Sequence, residues 1–125
     1  MTVPPRGQRG VSESVQFALV WPVLLLVTLG IIQAGIWLHA RNVAHRVVTA
    51  AVDTARGSTG TVGQAQELGA DLAAAGGLGE VSLEVVRGAT TATATVTARA
   101  PLILDLGFGG LHESASAPLE RVTPP

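Results

Sequence analysis

The fold of this chain is decided by the stretch VQFALVWPVLLLVTLGIIQAGIWL, which occupies residues 15–38 and contains no Asp, Glu, Lys or Arg. From Phe17 onward it holds about 22 residues, which as a helix would extend roughly 33 Å and cross a hydrocarbon core of about 30 Å. Arg6 and Arg9 precede the run, as in a secretory signal peptide, but the apolar core of such a signal is only about 7–15 residues long. The length therefore predicts a retained, single-pass membrane helix.

Helical periodicity continues past this run, through RNVAHRVVTAAVDTARG at residues 41–57. Small and apolar residues recur there at intervals of three and four, which places them on one side of a helix. They are Ala44, Val47, Val48, Ala51, Val52 and Ala55. We expect a polar leader over residues 1–10 and one long helix over residues 11–57, with its membrane span near residues 15–38. Ser12 or Ser14 is expected to cap the first turn of that helix.

Four residues of the span bear on how it packs in a membrane. Pro22 removes one backbone hydrogen bond, which membrane helices tolerate when neighbours compensate. Trp21 and Trp37 lie towards the two ends, where aromatic side chains anchor helices at the membrane interface. Gln33 is the strongly polar side chain deep in the span. It either hydrogen-bonds a neighbouring helix or is a tolerated single polar residue near the outer leaflet.

The sequence pattern of the remaining residues, 58–125, predicts a small domain of one helix and three strands. Thr61 and Gln64 have capping-box spacing and begin a helix over residues 62–75, which the pair Gly76-Gly77 ends. One side of this helix is expected to be apolar, through Val62, Ala65, Leu68, Leu72 and Ala75.

Beyond this helix the pattern alternates with a period of two, which is typical of strands with one buried face. A first strand is predicted from Glu80, a turn at Arg87-Gly88-Ala89 and a second strand over residues 91–100. Their inward residues are expected to be Val81, Leu83 and Val85, then Ala92, Ala94, Val96 and Ala98. A third strand over residues 113–122 contains Pro118, which predicts that this strand lies at an edge of the sheet.

The composition argues against several classes of function. A net charge of −1, with only 14% charged residues, offers no basic surface for nucleic acid. The absence of cysteine excludes disulfides and thiolate metal sites. His39 and His45 are too far apart along a helix to match the i, i+4 spacing of metal ligands. No serine lies in a nucleophile elbow and the chain has no lysine for a phosphate loop, so we expect no enzyme activity, cofactor or small-molecule substrate.

Three fragments of the sequence resemble TadE-like pilus proteins. Arg9-Gly10 followed by VQFALVWPVLLL at residues 15–26 is similar to the N-terminal signature of that family, a basic residue and glycine before an apolar helix with an early proline. The fragment AAVDTAR at residues 50–56 is similar to the Ala-Ala-x-Glu-Gly-Ala-Arg element that closes the family's long helix. The fragment ASAPLER at residues 115–121 resembles the ending of actinobacterial members.

This resemblance implies a minor pilin or pseudopilin-like subunit of a Tad (Flp) pilus or secretion apparatus. It implies an N-terminus in the cytoplasm and a small domain outside the cell membrane; the arginines that flank the span on both sides do not by themselves determine this orientation. Prepilin peptidase would cut between Gly10 and Val11. The family carries an acid before Phe-Ala, thought to pair with the new N-terminal amine of the next subunit, and this chain has Gln16 there.

The residues expected to contact other subunits or the membrane share a place on the predicted long helix: they are Glu13, Gln16, Phe17, Pro22 and Gln33. Glu13 is the acid nearest to Gln16, one turn earlier. The sequence thus predicts an α+β, pilin-like membrane protein with a structural role, whose partners are the membrane, other pilus or secretion subunits and prepilin peptidase. The alternative is a membrane-tethered extracytoplasmic binding module unconnected with pili.

Overall fold

The computed structural model of the chain describes residues 6–120, with side chains from residue 11 onward. Its elements are α1 (Arg6–Arg56), α2 (Val62–Ala75), β1 (Gly79–Arg87), β2 (Thr91–Arg99) and β3 (Gly110–Pro118). A long apolar helix, a short second helix and a three-stranded antiparallel sheet confirm the predicted α+β class. By its internal contacts the chain divides into a first unit, Met1–Ala34, and a second unit, Gly35–Pro125.

The described part of the first unit is helical from Arg6 onward, five residues before the expected start. Ser12 and Ser14 therefore lie inside α1, and the prediction that either caps its first turn is wrong. The segment RGQR at residues 6–9 explains the difference, since arginine and glutamine favour helix and a single glycine does not end one. Residues 1–5 of the expected leader lie outside the described residues.

Side chains along the first unit are exposed almost throughout. An 18-residue window of the helix has a mean hydropathy of 2.3, and none of it is buried. Within the described residues, one helix is long and apolar enough to cross a membrane, and it lies near the N-terminus. This helix indicates a single-pass membrane protein.

In the second unit, the C-terminal part of α1 forms one wall of the hydrophobic core. All six residues expected on its apolar side are buried: Ala44, Val47, Val48, Ala51, Val52 and Ala55. The largest fully buried side chains of the unit are Val47, Val48 and Val96, which come from α1 and β2. The core is therefore built mainly from alanine and valine, together with Leu78 and Leu111, and side chains packed at this density leave little room for an added atom.

The three strands follow one another across the sheet in the order β1-β2-β3. Gly79 and Gly110 both pair with Arg99, so the start of β1, the end of β2 and the start of β3 share one end of the sheet. The predicted inward residues of β2, Ala92, Ala94, Val96 and Ala98, are all buried.

The outer strands depart from expectation. On β1, Val85 is buried and Leu83 partly so, but Val81 is exposed, because the register with β2 shifts between Gly79 and Ser82. The third strand begins at Gly110 and ends at Pro118, earlier than the predicted range at both ends. Its pairing with β2 explains this, since Gly110 lies opposite Arg99 and Pro118 lies opposite Thr91. β3 is an edge strand, as its proline predicted.

α2 begins with the predicted capping box. The Gln64 amide donates to Thr61 Oγ1 at 3.1 Å, and the Thr61 amide donates to Gln64 Oε1 at 3.2 Å. The helix ends where expected, and Gly77 beyond it has a φ of +79°, which favours glycine.

The buried face of α2 agrees with the predicted one in part. Ala65 is buried as expected, and Val62 and Leu72 are partly buried against the core. The other buried residues, Gly69 and Ala73, were not expected there. Leu68 is 40% exposed. Ala75 is exposed as well, so neither residue belongs to the buried face. Small side chains face inward because the helix packs closely: a Cβ on Gly69 would collide with Leu83, and one on Gly76 would collide with Val43.

Candidate membrane and subunit interface

Three of the residues expected to contact other subunits share one face of α1 in the first unit. Glu13, Gln16 and Phe17 are separated by three and four positions, which brings their side chains together on a helix surface. All three are exposed, and the Phe17 ring is 77% exposed. The structure thus places the Glu13 carboxylate one turn before the Gln16 amide and beside the Phe17 ring, on a surface that a neighbouring helix can contact. We call this surface, formed by Glu13, Gln16 and Phe17, the Glu13 face.

The candidate cleavage point lies just before this face. Gly10 is within the helical backbone of α1, and its surroundings lie outside what the structure describes. Val11 is exposed. Cleavage between Gly10 and Val11 would leave Glu13 as the third residue of the new chain and would keep the whole apolar segment.

Pro22 and Gln33 are not part of the Glu13 face. Pro22 lies inside the helix, and Gln33 is half-buried. Gln33 follows Gln16 by 17 positions, or about 25 Å along an α-helix, so the two amides cannot meet in one chain. The residues expected to make contacts therefore fall into separate zones along α1.

The second unit contains contacts that the sequence did not predict, between α1 and β3. Arg41 Nε lies 3.2 Å from Glu113 Oε1. Arg56 Nε donates to the carbonyl oxygen of Pro118 at 3.3 Å, and the amide of Glu120 donates to the carbonyl oxygen of Arg56 at 2.9 Å. Since these partners are more than sixty residues apart in sequence, no local pattern could have identified them. They fix the direction of β3 along α1.

A third arginine, Arg87, holds the turn after α1. Arg87 Nη1 donates to the carbonyl oxygen of Gly60 at 2.6 Å. Asp53 and Arg56 lie 3.8 Å apart at the exposed end of α1, a spacing at which an ion pair contributes little to stability. The tertiary bonds of Arg56 and Arg87 are the stronger structural links.

An exposed apolar loop connects β2 to β3 and was not singled out as a site by sequence reasoning. Its exposed apolar side chains are Ile103, Leu104, Leu106 and Phe108. The signal was present in the sequence, because the fragment PLILDLGF at residues 101–108 is apolar without helical or strand periodicity. We call residues 101–108 the β2–β3 loop.

The described residues contain no cluster of three His, Asp or Glu side chains that could hold a metal ion. His39 and His45 are both exposed. His39 borders a shallow groove between α1 and α2, which Val43, Arg46 and Leu72 also line. Nothing in this groove provides a nucleophile with an activating base.

One comparison with known proteins finds a family that is similar to part of the chain. Residues 12–53 match the family described as TadE-like protein, over about a third of the chain. The matched segment contains the Glu13 face, the apolar span and most of the α1 surface that packs in the core. The match confirms the resemblance of this segment to TadE-like proteins. No curated protein and no solved structure is significantly similar to the chain.

Proposed function

We propose that this chain, whose residues 12–53 match TadE-like proteins, is a membrane-anchored minor pilin or pseudopilin-like subunit of a Tad pilus or secretion apparatus. Its N-terminus lies in the cytoplasm and its second unit outside the cell membrane. The role is structural and involves other subunits, with no catalysis and no cofactor. One observation carries the proposal: the family match includes the apolar segment of α1, in which an 18-residue window has no buried residue.

The exposed surface of the first unit supports an anchor. Water-exposed apolar area costs about 25 cal/mol per Å², and monomeric soluble proteins rarely leave a large contiguous apolar patch uncovered. The helix exposes aromatic and branched side chains at consecutive positions, including Trp21, Val23, Leu24, Leu25 and Leu26. Lipid, or the apolar helices of neighbouring subunits, would cover this surface.

Glu13 supports subunit contact. After cleavage at Gly10 the amine of Val11 would be free, and in an assembly of parallel helices an acid can pair with the new amine of an adjacent subunit. Such charge-assisted bonds are roughly twice as strong as neutral ones. Gln16 lacks the charge, and Glu13 lies on the same face one turn earlier, so we assign the pairing to Glu13.

Processing can be tested directly by N-terminal mass spectrometry of the membrane-extracted chain. We expect a mature N-terminus at Val11, because Gly10 is followed by an apolar helix of the required kind. A start beyond Leu38 would show that the span is a cleaved signal and would contradict the anchor. An intact Met1 or Thr2 would contradict processing and leave Glu13 without an amine partner of this type.

The functional test uses a strain that lacks the gene for this chain. Tad pili should be lost from the cell surface and restored by the wild-type chain. Normal pili in the deletion strain would contradict the proposal and support the alternative, a membrane-tethered binding module unconnected with pili.

In the same strain, we expect Glu13→Gln to lower incorporation of the chain into the isolated pilus assembly by about tenfold, as loss of a charge-assisted hydrogen bond predicts. Adding Gln16→Glu to that variant should restore incorporation, since the acid returns to the position it has in the family. Glu67→Gln removes the same charge from an exposed site on α2 and is the matched control. Equal incorporation of the Glu13→Gln and Glu67→Gln chains would show that Glu13 makes no subunit contact.

A further inference from the structure

The β2–β3 loop is unusual for a water-exposed connection because its apolar side chains point outward. The Phe108 ring is 77% exposed, and Ile103 and Leu106 are exposed to a similar degree. The base of the loop is closed by a hydrogen bond from the Ala100 amide to the carbonyl oxygen of Gly109, at 2.8 Å. Leu102 packs on the core and fixes the first part of the loop. The exposed residues are thus held on a defined support.

Contacts within the second unit locate this loop along α1. At one end of the sheet, Glu113, near the start of β3, pairs with Arg41. At the other end, Pro118 accepts a hydrogen bond from Arg56. β3 therefore runs along α1 from the level of Arg41 to that of Arg56. The β2–β3 loop, which precedes β3, lies at the end of the unit where α1 enters at Gly35.

α2 gives the same orientation independently. Gly76, the residue that caps the C-terminus of α2, packs against Val43 of α1, and β1 begins three residues later at Gly79. Gly79 pairs with Arg99, the last residue of β2 before the loop. Two separate elements thus place the β2–β3 loop at the Arg41 and Val43 end of the unit.

The side chains of α1 at this end are those of a membrane interface. Trp37 is partly buried against the core, and the guanidinium of Arg41 lies 5.7 Å from the centroid of its ring. Tryptophan and arginine at the end of an apolar span are typical of the headgroup level. The exposed apolar loop belongs to the same end of the unit.

The charge of the one acid of the loop, Asp105, is partly compensated by contacts within the protein, and its side chain is 38% exposed. Asp105 Oδ2 lies 3.5 Å from Arg99 Nη2. Asp105 Oδ1 accepts a hydrogen bond from the Gly107 amide at 2.9 Å. The remaining side chains of residues 101–108 are apolar or glycine.

We propose that the β2–β3 loop is a second membrane contact, in which Ile103, Leu104, Leu106 and Phe108 insert into the interface of the leaflet from which α1 emerges. This inference rests on the proposed membrane anchoring of α1. Apolar side chains of interfacial elements insert about 5–10 Å, to the boundary between headgroups and acyl chains. With α1 as one attachment and the loop as another, the second unit would be held against the membrane surface.

Single-cysteine labelling tests the loop in the full chain, because the native sequence has no cysteine. Phe108→Cys, Ile31→Cys and Val86→Cys would each carry an environment-sensitive fluorophore in phosphatidylethanolamine–phosphatidylglycerol vesicles. Ile31 lies in the apolar span, and Val86 is exposed beside Arg87, at the opposite end of the sheet. We expect nitroxide-bearing lipids to quench the labels at 31 and 108 several-fold more strongly than the label at 86. Ile103→Cys should reproduce the result at 108.

The outcomes separate the loop from the anchor. If the label at 31 is quenched, but the labels at 103 and 108 are quenched no more strongly than the label at 86, the loop contact is overturned and the anchor is left intact. Absence of quenching at 31 would overturn the anchor, and the loop contact with it. Labels at 103 and 108 that are open to water in vesicles but shielded in native membranes would also overturn the proposal, because they would show a protein rather than lipid as the occupant.

Discussion

Replacing Ala51 with glutamate is expected to unfold the second unit. Ala51 has no exposed surface, and all the buried residues of the core to which it belongs are apolar. An uncompensated buried carboxylate costs several kcal/mol, so we expect a loss of about 3–5 kcal/mol. A domain of this size has a total stability of roughly 5 kcal/mol. The change should therefore remove most of the free energy of unfolding.

The measurement is protease resistance of the second unit in detergent-solubilised full chain, across a denaturant series. Ala70→Glu is the matched control, because it makes the same substitution at an exposed position of α2. We expect the control to lie within about 0.5 kcal/mol of wild type. Equal protease resistance of the two variants would show that this side of α1 is not buried in the protein.

A second large effect is expected from Gly60→Ala, in the turn between α1 and α2. A Cβ at Gly60 would collide with the carbonyl oxygen of Thr54, a backbone atom that cannot rotate away. Displacing the turn would also disturb the hydrogen bond from Arg87 to the Gly60 carbonyl oxygen. We expect a destabilisation of about 2–4 kcal/mol, from overpacking together with a weakened hydrogen bond.

Gly63→Ala provides the matched control for this variant. Its added Cβ would approach no atom closer than Thr61 Oγ1, at 3.9 Å. Because Gly63 lies in α2, alanine should stabilise the protein by up to about 1 kcal/mol through its higher helix propensity. Denaturant midpoints for the two variants should move in opposite directions. Midpoints that move together would show that the turn accommodates a Cβ at Gly60.

Some elements could be read from the sequence because their signals are local. The apolar span needs only consecutive residues, and the capping box of α2 needs only Thr61 and Gln64. The alternating pattern of β2 correctly predicted its buried residues, because this strand is central and has a neighbour on each side that holds its register. Family resemblance also depended on contiguous fragments, and the matched residues 12–53 lie in one helix.

Other predictions failed where packing between distant segments decided the result. Leu68 was expected on the inward face of α2 and is exposed, and Leu72 is only partly buried against the core. Gly69 and Ala73 are buried instead, because the close approach of α1 and β1 leaves little room for larger side chains. The bounds of β3 were set by its partner, since pairing with β2 starts at Gly110 and stops at Pro118. The sequence of β3 alone does not specify its register with β2.

The same division applies to the candidate interfaces. The sequence by itself determined the long apolar helix, the spacing of Glu13, Gln16 and Phe17 along it and the small α+β domain, because hydrophobic length and helical spacing are properties of neighbouring residues. Tertiary structure alone decided that the β2–β3 loop lies at the end of the second unit where α1 enters. That placement depends on the pairing of Arg41 with Glu113 and of Gly79 with Arg99, contacts between residues far apart in the chain, and sequence periodicity carries no information about which distant segments meet.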